Sequence, residues 1–292
     1  MVMTKETKGM LIGFIGVAIF SLTLPFTRIA VQEMTPFYVS FGRGIIAGVC
    51  GALLLLLTKS PLPTRSQFKK LLITALGVVY GFPIFTSLAM KTLPSAHSGI
   101  VLGILPLAMS AMGAVRFRER PSLAYWITAV CGTLLVLVYS MIDGGGGLAL
   151  GDIWLLLAIV MAAIGYSEGG KLAQEMGAIK VISWAVAITL PINILATYLF
   201  ANIAITDLSP NVFISFLYVG LFSAFIGFFF WYRGIALGGV ARVGQVQLLQ
   251  PFLTLIGSYF LLGESITLLN VVFAIAVMVV VLIGRNTKIQ AK

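Results

Sequence analysis

Charge is scarce in this chain. Only 10% of its 292 residues are Asp, Glu, Lys or Arg, against about a quarter in soluble domains. So few charges cannot cover a water-soluble body of this size. Histidine is scarcer still: His97 stands alone, which excludes the HExxH type of zinc catalysis, where two are needed. The two cysteines, Cys50 and Cys131, lie far apart in apolar runs and read as reduced core residues; they exclude a disulfide framework and a thiolate metal site. No GxxxxGK[ST] stretch occurs, so ATP drives nothing from within this chain. No aspartate stands at the centre of an apolar run, which excludes an intramembrane aspartyl pair. No catalytic residue, metal or cofactor is therefore expected. A cleavable leader is not expected either, because the first apolar run is too long for one and lacks a clear cleavage site.

What is abundant is apolar sequence: 60% of residues are hydrophobic and the mean hydropathy is +1.08. Runs of about 20 such residues recur, the length that crosses a bilayer as a helix. The pattern predicts an all-α polytopic membrane protein with ten spans, at 9–31, 36–57, 69–90, 95–115, 122–141, 151–172, 178–200, 211–232, 240–261 and 266–284. The net charge of +10 would suit nucleic acid were it clustered on a soluble face. Instead, sixteen of the nineteen Lys and Arg fall in connections on one side of these spans, from Lys5 and Lys8 to Arg285, Lys288 and Lys292. The positive-inside rule then predicts a multi-pass protein of the cell (inner) membrane with both termini cytoplasmic. Its expected partners are the lipid bilayer and a small-molecule substrate, not nucleic acid.

The chain nearly repeats itself. "AHSGIVLGILPLAMSAMGAVRFRERPS" and "ARVGQVQLLQPFLTLIGSYFLLGESIT" align at a shift of 145 residues, placing Ala96 on Ala241, Gly99 on Gly244, Pro106 on Pro251 and Glu119 on Glu264. "VQEM" (31–34) and "AQEM" (173–176) echo at a shift of 142. The expected organisation is a first five-helix repeat over 1–143, a Gly-rich linker over 144–150 and a second repeat over 151–292. Five is odd, so the second repeat enters the membrane from the opposite side. Inverted repeats of this kind support alternating access around a site at their interface.

Ten spans, the duplicated Pro106/Glu119 and Pro251/Glu264 pattern, and Arg43 in "FYVSFGRGIIAG" together resemble the EamA-type families of the drug/metabolite transporter superfamily. The resemblance covers nearly the whole chain. It implies a five-plus-five helical fold with a central cavity lined by spans one, three, four, six, eight and nine, and relatives that export amino acids, other metabolites or toxic compounds. The chain departs from the family where Trp-Gly is common, with "FSLTLPFTR" in span one. It has Arg28 for a frequent lysine, and "FRER" for Leu-Gly-Glu after span four.

Ionisable groups inside spans are functional candidates by default. Arg28 and Arg43, late in span one and early in span two, suit an anion or carboxylate site; equally, Arg28 can snorkel and Arg43 can tie helices. Glu168 is the one carboxylate clearly inside a span. It reads as a proton-coupling or amine-binding group, or as a partner for Lys171 one turn on. His97 opens span four, where a helix start favours anions. Gln245, Gln247 and Gln250 crowd span nine, and amides need protein or water rather than lipid. Ser98, Tyr80, Tyr166 and Asn193 are further polar candidates. "FFFWYR" (228–233) reads either as cavity wall or as a lipid-facing belt. Pro25, Pro83, Pro106, Pro191 and Pro251 fall within spans, and the first three and the last read as hinges.

These residues predict a secondary transporter that exports small organic metabolites, amino acids first, by alternating access. The alternative is a multidrug or organic-cation exporter; a channel or an intramembrane enzyme fits less well. Protons are the candidate coupling ion. Small-residue pairs such as Gly44/Gly48 and Gly99/Gly103 suit either internal packing in a monomer or a homodimer contact.

Overall fold

In a computed structural model, residues 4–117, 120–121, 123–143, 148–239, 243–285 and 289–290 are described. They form ten helical rods: α1 (Lys5–Ala30), α2 (Pro36–Leu57), α3 (Arg65–Met90), α4 (95–117), α5 (Leu123–Asp143), α6 (Leu150–Met176), α7 (Ala178–Phe200), α8 (Pro210–Gly238), α9 (Gly244–Leu262) and α10 (Leu268–Arg285). Eight are long and apolar enough to span a membrane, and α4 and α10 hold shorter apolar stretches, Ser95–Met109 and Leu268–Ile283. A two-residue ladder pairs Arg120–Pro121 with Ile289–Gln290. The protein is thus an all-helical, two-repeat membrane protein, as its hydropathy requires.

Pairing follows the duplication. α1 packs on α8 and α3 on α6; α2 packs on α7, α4 on α9 and α5 on α10. Exchanging the repeats leaves this set unchanged. Small residues permit the closest crossings. A Cβ on Gly9 would meet Gly238 N at 2.7 Å, and one on Gly44 would run into the Asn193 amide. Gly99 and Gly103 likewise face Thr254 and Val277. The small-residue pairs of α2 and α4 are therefore used inside the chain. Cys131 faces outward from α5 rather than into the core, which corrects its reading as a core residue.

The prolines explain the irregular turns. A proline cannot donate to the carbonyl four residues back. Pro25 frees the Ser21 carbonyl beside a one-residue break at Leu22, and the Thr254 hydroxyl donates to it at 2.8 Å. Pro106 frees Leu102, whose carbonyl accepts instead from Leu105, three residues on; Pro251 frees Gln247, which accepts from Gln250 in the same way. A 3-10 turn therefore precedes each, at Leu102–Ile104 and Gly244–Leu249. Pro83 follows a π-helical turn at Leu76–Gly81, matched in the other repeat by Tyr218–Ile226. Pro191 sits in an unbroken helix.

Candidate functional site

Those four irregular segments meet. A central cavity is lined by Val78 and Ser223 from the two π turns, Leu102 from one 3-10 turn and Gln250 just after the other. Val78 and Ser223 are related by the same 145-residue shift that relates Pro106 to Pro251. Phe20, Thr23, Arg43, Phe82, Tyr166 and Phe228 are also in its wall. The lining comes from spans one, three, four, six, eight and nine, plus span two through Arg43. The space is about 10 Å³, about room for one water. A larger hollow of about 690 Å³, lined by Ile12, Met176, Phe229 and Arg233, is open and apolar on the flank of the bundle.

Arg43 is the one formally charged residue in the cavity wall and is 2% exposed. Its Nη2 donates to Ser223 Oγ at 3.0 Å, and Ser223 bonds Thr23 Oγ1 at 2.7 Å. Its Nε and Nη1 have no hydrogen-bond partner among the described residues. Three unpaired N–H bonds, one on Nε and two on Nη1, are costly on a buried guanidinium unless a ligand or water meets them. The same wall holds aromatic rings: Phe20 lies 6.0 Å from Tyr166 and 5.0 Å from Phe228, and behind them Tyr166 lies 5.6 Å from Trp231. Phe228, Trp231 and Tyr232 are buried, so "FFFWYR" is partly cavity wall and packing rather than only a belt.

The structure thus brings Arg43, Tyr166 and Gln250 to one cavity and leaves the other candidates outside its wall. Arg28 is half-buried and donates to the Met90 carbonyl. Tyr80 donates to the Thr189 carbonyl at 3.4 Å, and Ser98 to the Pro94 carbonyl at 2.9 Å. Glu168 is 5% exposed on α6, flanked by Gly165 and Gly169, which meet Val78 and Tyr232 closely. Gln245 is half-buried, and Gln247 is buried with neither amide atom paired among the described residues. Asn193 donates to Thr189 Oγ1 at 3.3 Å. His97 lies between two carboxylates, Asp143 Oδ2 at 2.6 Å and Asp152 Oδ1 at 2.7 Å. Glu119, Gly144–Gly147 and Arg242 lie outside the described residues. Sequence reasoning missed Thr23 and Ser223; a lone hydroxyl inside "GLFSAFIGFFF" was the available signal.

Discontinuous helices meeting at the interface of two repeats are the way many transporters build their sites. The comparisons agree. The model of the EamA-like transporter family matches twice, over residues 7–141 and 149–284, and the chain belongs to that family, within the drug/metabolite transporter superfamily. The uncharacterized transporter YdeK of Bacillus subtilis is 42% identical over 97% of this chain and 99% of its own length. An uncharacterized transporter of Archaeoglobus fulgidus is 26% identical over 85% of this chain and 88% of its own. A solved crystal structure shares the fold at a TM-score of 0.66 and 20% identity, covering 95% of this chain and 96% of that one.

Proposed function

We propose that the chain is a secondary exporter of small organic metabolites, amino acids first among them, working by alternating access around the Arg43 cavity. It sits in the plasma membrane with both termini cytoplasmic. The observation that carries the reading is the Arg43 guanidinium, buried with two nitrogens, Nε and Nη1, unpaired among the described residues. A carboxylate matches that fork in shape and charge. The Thr23 hydroxyl, the Gln250 amide and the faces of Phe20, Tyr166 and Phe228 are available to an ammonium group and an apolar side chain. An organic cation fits less well, because the one formal charge in the wall is positive.

The test is flux from proteoliposomes loaded with radiolabelled amino acids and, in parallel, an organic cation, with and without a pH gradient. Saturable amino-acid efflux is expected. Arg43→Gln and Arg43→Lys should lower kcat/KM by roughly 10- to 100-fold, since a hydrogen bond to a charged group contributes about 1.5–3 kcal/mol. Cation flux that ignores Arg43→Gln would move the function to drug export. Glu168 is the carboxylate to test first for proton coupling; if it serves, Glu168→Gln flattens the response to the pH gradient.

A further inference from the structure

His97 is bonded in a way a neutral imidazole cannot satisfy beside two ionised carboxylates. Its Nδ1 lies 2.6 Å from Asp143 Oδ2, and its Nε2 lies 2.7 Å from Asp152 Oδ1. Neutral imidazole has one N–H and one lone pair. A lone pair held 2.6–2.7 Å from an ionised carboxylate is a contact between two acceptors, and it repels. Both contacts are bonds only if the cluster holds one further proton, on the ring or on a carboxyl group. That proton leaves the three groups with a net charge of −1.

The setting suits a proton site that communicates with one side. His97 and Asp152 have side chains 3% exposed, and Asp143 is 25% exposed. Asp152 also accepts from the Ala149 N–H at 2.9 Å. Other groups pack around the cluster; from α5, the buried Ser140 hydroxyl also donates to Asp152. From α5, Tyr139 donates to Asp143 Oδ2 at 3.4 Å and accepts from Asn270 of α10 at 2.7 Å. From the α9–α10 connection, Glu264 accepts from the Ser95 and Ala96 N–H groups at 2.9 and 2.7 Å. Lys91 donates to the Val31 carbonyl and Arg28 to the Met90 carbonyl. Among the described residues no lysine or arginine pairs with either aspartate.

The cluster also spans the repeats. His97 and Asp143 belong to α4 and α5 of the first, and Asp152 to α6 of the second. It lies at the end of the bundle away from the chain termini, the external end in the proposed orientation. We propose that His97, Asp143 and Asp152 form a one-proton site that latches the two repeats at this end, and that proton exchange through Asp143 with the external medium releases the latch. The proton passes to water at the Asp143 carboxylate. One of the two ring contacts then becomes repulsive, and α5 or α6 is freed to move. This use of the site rests on the alternating-access reading; the proton itself does not.

The chain has one histidine, so the test is direct. Protein carrying 15N-histidine and 13C-aspartate, in lipid nanodiscs, is titrated by NMR. In a second measurement Ser98→Cys, in a Cys50→Ser/Cys131→Ser background, reports external opening through a membrane-impermeant maleimide. The expected result is two ring N–H groups, or one N–H with one protonated carboxyl, and labelling that rises several-fold as that proton is lost. Asp152→Asn should make labelling independent of pH, because an amide satisfies a neutral ring. One N–H beside two ionised carboxylates while the contacts persist would overturn the proton site. Labelling unchanged as the proton is lost would overturn the latch. Neither measurement needs a substrate, so absence of amino-acid flux in the transport assay would overturn the amino-acid reading and leave the proton site to these data.

Discussion

At the residue scale, hydrogen-bond accounting separates site from scaffold. Arg28, Tyr80 and Ser98 spend polar groups on backbone carbonyls, whereas Arg43, in the cavity wall, keeps Nε and Nη1 unpaired among the described residues. Glu33, in the α1–α2 connection, is spent too: its Oε2 accepts from the Ser209 N–H at 2.9 Å, where α8 begins. The Ser209 hydroxyl and N–H together hold the Glu33 carboxyl below its ordinary value of 4.5. A carboxyl depressed by folding contributes stability fully above the unfolded value, and that stability is lost as pH falls through the lowered folded value. The thermal stability of Glu33→Gln relative to wild type should therefore fall short at neutral pH and converge as the pH drops below about 4. A difference independent of pH would show that the carboxylate charge plays no part.

At the element scale, each kinked rod needs a neighbour to meet the group its proline frees. Thr254 of α9 does this for Ser21 of α1, so the bend in one repeat is completed by a hydroxyl from the other. Thr254→Val keeps shape and removes the donor. It should lower stability by about 1 kcal/mol, within the range for interhelical bonds in membranes, read as the unfolding midpoint in detergent. An unchanged midpoint would mean that another donor reaches Ser21. The 3-10 and π turns were not legible as such from sequence. Pro106, Pro251 and Pro83 announced a disturbance, but which carbonyl takes a substitute donor depends on the neighbouring turn and helix.

At the scale of the whole molecule, the cavity of about 10 Å³ is too small for an amino acid, so the proposed export requires the repeats to part. Ser95 of α4 and Ser258 of α9 bond through their hydroxyls across the repeat interface. Ser95→Cys/Ser258→Cys, made without Cys50 and Cys131, should form a disulfide that stops flux when oxidised and releases it when reduced. Full flux in the oxidised, cross-linked protein would mean that this end does not open during transport.

The sequence by itself determined the membrane class, the ten rods and the duplication. Hydropathy and proline spacing act locally, and a bilayer admits few ways of satisfying a helical backbone. It also marked Arg43, because a charge inside an apolar run stands out in any arrangement. Only the tertiary structure decided which polar groups meet. Ser223 lies 180 residues from Arg43 and Asp152 lies 55 from His97, and no local periodicity encodes such pairings. His97 read alone at a helix start invited an anion; two carboxylates brought beside it by α5 and α6 make it a partner for negative charge already within the fold. Helix packing sets those distances, so the chemistry of each site residue belongs to the bundle rather than to its own stretch of chain.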